Sequence, residues 1–359
     1  MTLPSATTPG ASTPAATFTR QLGIDVPLIC GPMYPCSNPE LVAAVSEAGG
    51  IGVVQPISLT YVHGFEYRAG LRHIRSLTSR PIGFNALIEA SSRLYLDRMT
   101  RWIDIALEEG VRFFITSLGN PKWVVERVHA VGGVVYHDAT ERKWAAKGLD
   151  GGVDGIIAVN NRAGGHTGRL SAQQLLDELG PLGAPLIAAG GVGTPEEFAE
   201  LLGAGYAGVQ LGTRFIATTE CSASDAYKAA ILRSTERDIV LTERLTGVPV
   251  AVIENDYVRR LGGHAGPLAR WMLRGHRTKH WIRTWYGLSS LRRLKRGLGS
   301  ATGSGEYWQA GRSVEGISEI LSAGEVVRAY AAATNAEGRG ERGESKERAA
   351  PGMNWCGAR

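Results

Sequence analysis

Eight short apolar runs, each followed by a helical pattern, recur along the chain, and this rhythm restricts the fold more than any other feature. The runs are Val26–Met33, Gly50–Gln55, Pro81–Leu87, Val111–Ser117, Gly133–Ala139, Val153–Val159, Pro185–Gly191 and Gly208–Ile216. They are continuously apolar rather than alternating, as strands of a helix-covered parallel sheet should be. Helix signals lie between them. Asn38 stands as N-cap of Asn38–Ala48, which stops at Gly49-Gly50. Thr194 precedes Pro195 at a first helical position, with Glu197 three residues after the cap. Eight β-then-α units predict an α/β fold, a TIM (β/α)8 barrel; a doubly wound open sheet is the rival. The 359 residues suffice for one such barrel and an appendage.

The expected organisation has five parts. Residues 1–20, rich in Ala, Thr, Ser and Pro, read as a disordered tail, and residues 335–359 as a second one. The barrel occupies 21–254, a basic helical insertion after the eighth strand occupies 255–312, and a closing helix occupies 313–334. The insertion carries Arg259, Arg260, Arg274, Lys279, Arg283, Arg292, Arg293, Lys295 and Arg296, interleaved with Trp271, Trp281, Trp285 and Tyr286. Packed over the barrel mouth, it is a solvated basic face, a contact for a phosphate-bearing substrate, or an interface of a homodimer.

Other classes are disfavoured. A net charge of +5 is modest for this length and gives no argument for nucleic acid. The four cysteines, Cys30, Cys36, Cys221 and Cys356, form no CxxC pair or zinc-finger spacing, which suits a reduced, cytoplasmic protein. The first residues lack the basic and apolar regions of a secretory signal, and no run is long enough to cross a membrane.

Barrel ligands sit at the C-terminal strand ends. The seventh strand ends in Gly190 and Gly191, and the eighth runs through Gln210, Leu211, Gly212 and Thr213. Glycines at these two ends expose backbone N–H groups to a phosphate, and Thr213 adds a hydroxyl. The sixth strand leads into Asn160, Asn161, Arg162, Ala163, Gly164, Gly165, His166, Thr167 and Gly168. Glycines around one histidine let the loop lie against a planar ring and leave the imidazole accessible as a general base. The third strand carries Asn85, whose amide both donates and accepts. Met33 closes the first strand and on spacing alone is a core residue.

These motifs resemble the nitronate monooxygenase family. The matching segments are GPMYPCSNPELVAAVSEAGGIG, GFNALI, AGGHTG, PLIAAGGVGTPEEFAELLGAGYAGVQLGTRF and YWQAGRSVEGI, spread over Val26 to Tyr330. The resemblance implies an FMN-dependent barrel with His166 as catalytic base. It implies FMN contacts at Asn85, Gly164, Gly191, Gln210, Leu211, Gly212 and Thr213, with Met33 beside the flavin. It implies oxidation of nitronates or nitroalkanes by O2 to a carbonyl compound and nitrite. The alternative is a reductase of enoyl thioesters or quinones using NADH or NADPH; a phosphate-binding barrel without flavin is a third reading. Two departures stand out. The Gln-Gly that many members carry before the loop falls on Val159 and Asn160, which hands the polar contact to Asn160 or Asn161. A Glu common before AGG is replaced by Arg162, a cation that would favour an anionic substrate.

Overall fold

The structure, a computed structural model, describes residues 12–89, 93–244, 248–263, 292–298 and 307–334. Strands β1 (Leu28–Cys30), β2 (Ile51–Val54), β3 (Gly83–Leu87), β4 (Phe113–Ser117), β5 (Val134–Ala139), β6 (Gly155–Val159), β7 (Leu186–Ala189) and β8 (Gly208–Leu211) close into one barrel. Every pairing is parallel, including β1 with β8, where Ile29 lies opposite Gln210. The open-sheet alternative is thereby set aside.

Helices alternate with the strands. They are α1 (Pro14–Leu22), α2 (Pro39–Glu47), α3 (Tyr67–Leu77), α4 (Arg93–Glu108), α5 (Lys122–His129), α6 (Arg142–Asp150), α7 (Ala172–Leu179) and α8 (Pro195–Gly203), then α9 (Thr213–Ile216), α10 (Asp225–Arg233) and α11 (Asp256–Leu261). The period-2 alternation of each strand splits the core in two. Ile29, Ile51, Phe113, Ile115, Tyr136, Ile157 and Ile187 fill the barrel, while Leu28, Phe84, Phe114, Val135 and Val209 face the helices. Thr194 and Glu197 form the expected capping box of α8. Asn38 sits at the N-cap of α2 without a capping bond, and its amide instead donates to the Glu220 carbonyl at 2.9 Å.

Three expectations need correction. Residues 14–20 are not a loose tail but most of α1. Thr13 caps this helix, Pro14 opens it and Gly23 ends it in the left-handed region at φ 68°. Phe18 is buried and meets Phe113 and Tyr136, closing the N-terminal end of the barrel. The eighth run does not continue as strand to Ile216, because Gly212 turns the chain into α9. Residues 239–253 are not barrel: β9 (Ile239–Thr242) and β10 (Val250–Ile253) form a separate antiparallel hairpin.

Beyond the hairpin, α11 and a helical segment over 292–298 belong to the expected insertion. Trp271, Arg274, Lys279, Trp281, Arg283, Trp285 and Tyr286 lie outside the described residues, as does Cys356. Lys295 donates to the Tyr61 carbonyl at 2.6 Å and lies 4.4 Å from the Tyr61 ring centre, so the segment reaches the loop after β2. A helix over 323–334 packs Tyr330 edge-on against Phe198 of α8. Among the described residues no helix is long and apolar enough to cross a membrane.

Candidate active site

The C-terminal strand ends form a mouth that stays partly open to solvent. Leu87, Ser117, Asp138, Val159, Gln210 and Gly212 are all half-buried, although the residues beneath them are sealed. Asn85 stands inward on β3 and is buried. Gln210 folds over Gly31, where a Cβ would come within 2.9 Å of its Cγ. Its Oε1 is buried and has no hydrogen-bond partner. A buried acceptor left unpaired costs on the order of 1–3 kcal/mol, so this atom marks a place where a donor belongs. Met33 lines the same opening and lies beside Gly212, whose Cβ would meet its Sδ at an ordinary 3.5 Å.

The histidine loop leaves β6 at this mouth and is fastened from outside. Gly165, at φ 68°, requires the left-handed region that glycine tolerates. Its carbonyl accepts from Ala251 N–H of β10 at 2.8 Å. A Cβ on Gly164 would lie 2.8 Å from the Gly311 nitrogen, so the backbones of two loops touch there. Arg312 N–H donates to the Arg162 carbonyl at 2.9 Å, and Gly311 N–H donates to the Thr213 hydroxyl at 2.9 Å. One short segment therefore joins the loop after β6 to the start of α9. The Thr213 hydroxyl, accepting from Gly311, keeps its own proton for another acceptor.

His166 itself is exposed at the mouth, while crowding by nearby protein partly desolvates it. That crowding penalises the imidazolium and holds the pKa below its ordinary value. The ring is thus neutral at neutral pH, the form a general base needs.

Two sequence expectations change at β6 and β7. Asn160 is buried, its amide donates to the Gly190 carbonyl at 2.8 Å, and its Oδ1 accepts from Arg162 N–H at 2.8 Å. It clamps two loops together instead of facing the mouth with a free amide. Arg162 is not an uncompensated cation: it pairs with Glu236 and lies 3.7 Å from Glu197. Gly190 and Gly191 both have positive φ, 113° and 81°, and a Cβ on Gly191 would strike the Arg162 side chain at 2.5 Å. The hairpin and Asp138 have no place among the residues the motifs single out, and the 307–312 segment, part of the YWQAGRSVEGI match, carries no expected site role. Only the phase of β5, which turns Asp138 to the same side as Tyr136, could have pointed to that carboxyl.

The chain matches the family model described as nitronate monooxygenase over residues 16–331. It belongs to the nitronate monooxygenase family. Among relatives of this family member is a Rhodococcus jostii (strain RHA1) protein named (3aS,4S,5R,7aS)-5-hydroxy-7a-methyl-1-oxo-octahydro-1H-indene-4-carboxyl-CoA dehydrogenase. It is 29% identical over 83% of this chain and 82% of its own length. A probable nitronate monooxygenase of Staphylococcus saprophyticus is 29% identical over 68% of this chain and 79% of its own length. FabK from Thermotoga maritima shares the fold at a TM-score of 0.75 and 24% identity, covering 91% of this chain and 98% of that one. Family membership and these relatives make the protein an oxidoreductase.

Proposed function

We propose that this nitronate monooxygenase family member binds FMN at the barrel mouth and oxidises nitronates and nitroalkanes with O2 to carbonyl compounds and nitrite. The observation that carries the reading is the pairing, at one barrel mouth, of an exposed His166 in the loop after β6 with a buried, unpaired Oε1 on Gln210 of β8. Asn85 and Gln210 would meet the polar edge of the ring, with Met33, Gly164 and Gly165 along its rim. Gly190, Gly191, Leu211, Gly212 and Thr213 would form the phosphate end, where Thr213 has a proton to give. FMN, when bound, supplies the redox chemistry that side chains lack. His166 takes the α-proton of a neutral nitroalkane, and the mouth orients the resulting anion. His166→Ala should keep FMN and lose activity toward neutral nitroalkanes by 10²-fold or more, on the order expected of a general base, while preformed nitronates remain substrates. Full turnover of neutral nitroalkanes by that variant would sink the assignment.

A second reading, an acyl-thioester oxidoreductase, is favoured by the carboxyl-CoA dehydrogenase relatives, at 29% and, in Mycobacterium tuberculosis, 30% identity. A thioester α-carbon is also a carbon acid within reach of a histidine base. The paired state of Arg162 removes one argument for a small anion, and the cations near Lys295 could meet a phosphate-bearing carrier. Anaerobic absorbance spectra separate the readings. Bleaching by NADH or NADPH favours the reductase form, bleaching by an acyl-CoA favours a dehydrogenase, and change only with a nitronate supports the first reading.

A further inference from the structure

Asp138 is an acidic side chain at the C-terminal end of β5. Val134 and Tyr136 belong to the barrel interior, so the period of two turns Asp138 inward as well. His137 between them faces outward, where a Cβ on Gly148 of α6 would meet its ring at 3.0 Å. In an eight-stranded barrel the inward side chains of alternate strands share a layer. Two residues above the inward Ile29, Gly83, Tyr136 and Ile187 stand Gly31, Asn85, Asp138 and Ala189. Gly31 and Ala189 bring no polar side-chain atom to this layer, and Gln210 folds into the space over Gly31. Asn85, Asp138 and Gln210 therefore converge on one floor.

The Asp138 carboxyl is poorly provided for there. Ser117, on the neighbouring strand, hydrogen-bonds it, yet Oδ1 is buried with no partner. Asp138 takes part in none of the ion pairs of the described residues. An ionised carboxylate so placed would be an uncompensated buried charge, which proteins avoid by neutralising the group. Two orphaned oxygens, on Asp138 and Gln210, thus lie closed to water on half-buried residues at the mouth, and they differ in kind: the amide oxygen can only accept, whereas a protonated carboxyl can also donate.

We propose that Asp138 is a cofactor-positioning residue which, as a neutral carboxylic acid, donates a hydrogen bond to an acceptor atom on the edge of the bound flavin ring. The proposal rests on the flavin reading above and extends it to a residue outside the family motifs. Burial acts in the same direction, pushing the Asp138 pKa up to about 7. A ring seated above it would exclude water from its open side and favour the neutral form further. Asn85 and Gln210 alone would leave the choice of ring orientation to two amides that can each flip; a fixed donor on the third wall removes that ambiguity.

The test is FMN titration of wild type, Asp138→Asn and Asp138→Leu, each freed of flavin and checked for an intact fold by circular dichroism and thermal melting. Asp138→Asn keeps the size and a donor, and should bind FMN within about threefold of wild type. Asp138→Leu loses the hydrogen bond and should bind about tenfold more weakly, the loss expected for one such bond. The second measurement uses the wild-type holoenzyme alone: its infrared spectrum at neutral pH should contain a protonated-carboxyl band that is absent from Asp138→Asn. FMN affinity of the Leu variant within twofold of wild type, an Asn variant as weak as the Leu variant, or absence of that band in holoenzyme would each overturn the proposal. Wild type that takes up no FMN defeats the flavin reading itself, and this proposal with it. A yellow wild type with an unaffected Leu variant defeats this proposal alone.

Discussion

Single side chains at this mouth are set by their neighbours more than by their type. Arg162 looks like a substrate-facing cation, but Glu236 and Glu197 hold it over Gly191. About a third of each partner is exposed, so the pairs are worth roughly 0–1 kcal/mol. Arg162→Gln is therefore expected to change unfolding free energy by less than about 1 kcal/mol, and steady-state kinetics should show KM for a nitronate nearly unchanged. A large KM increase would restore the cation to the substrate. His137 and Asp138 are adjacent in sequence yet respond oppositely to pH. Burial lowers the His137 pKa from 6.5 to about 4. Its neutral form is the one the fold accepts, so its contribution is complete above pH 6.5 and is lost as pH falls toward 4, on the order of 3 kcal/mol. The Asp138 pKa is raised from 3.8 to about 7. Its contribution is complete below 3.8 and is lost as pH rises through 7. Urea denaturation of flavin-free protein checks both signs. Asp138→Asn should gain on wild type as pH rises from about 4 to about 8, and His137→Gln should gain on wild type as pH falls across the lower part of that range. A constant gap between either variant and wild type would contradict the corresponding shift.

At the scale of elements, the histidine loop owes its shape to segments far along the chain. The hairpin of β9 and β10 holds Gly165, and Gly311 touches Gly164 while bonding Thr213. A Cβ on Gly311 would sit 2.6 Å from the Gly164 nitrogen and 2.7 Å from the Arg162 carbonyl oxygen, both backbone atoms that cannot swing aside. Gly311→Ala should cost about 1–3 kcal/mol and depress FMN affinity and turnover together, with the barrel's circular dichroism preserved. Gly203→Ala, at the end of α8 with nothing within 4 Å of the new methyl, is the matched control. It should be neutral or stabilising by up to about 1 kcal/mol. Equal behaviour of the two variants in FMN titration would remove the fastening role from 307–312. The other end of the barrel depends on α1. Phe18→Ala should cost about 3–5 kcal/mol, as for any large aromatic removed from a core, whereas a disordered segment would show no change in the thermal melt.

Across the whole molecule, the sequence by itself determined what depends on local order along the chain. The eight apolar runs and their helix caps specify parallel β/α units, and eight such units close into a barrel whose ligand face is the C-terminal one. Thr194 with Glu197 is legible for the same reason, since a capping box is complete within four consecutive residues. The family motifs in turn sit at strand ends, so Asn85, His166, Gly190, Gly191 and Gln210 could be placed at the mouth from sequence. What only the tertiary structure decided is which groups remain unsatisfied there. Asn160 and Arg162 are polar strand-end residues like Gln210, but the first is engaged by Gly190 and the second by Glu236, while Gln210 and Asp138 each keep an orphaned oxygen. The physical reason is that hydrogen bonds and ion pairs between residues 30 to 80 positions apart have no periodic trace in a sequence. α1 is not legible in the sequence because its short apolar face has meaning only once a barrel floor exists for Phe18 to close. Local propensity fixed the scaffold; the pairing of distant polar groups, through the solvation cost of leaving any of them alone, fixed the chemistry of the mouth.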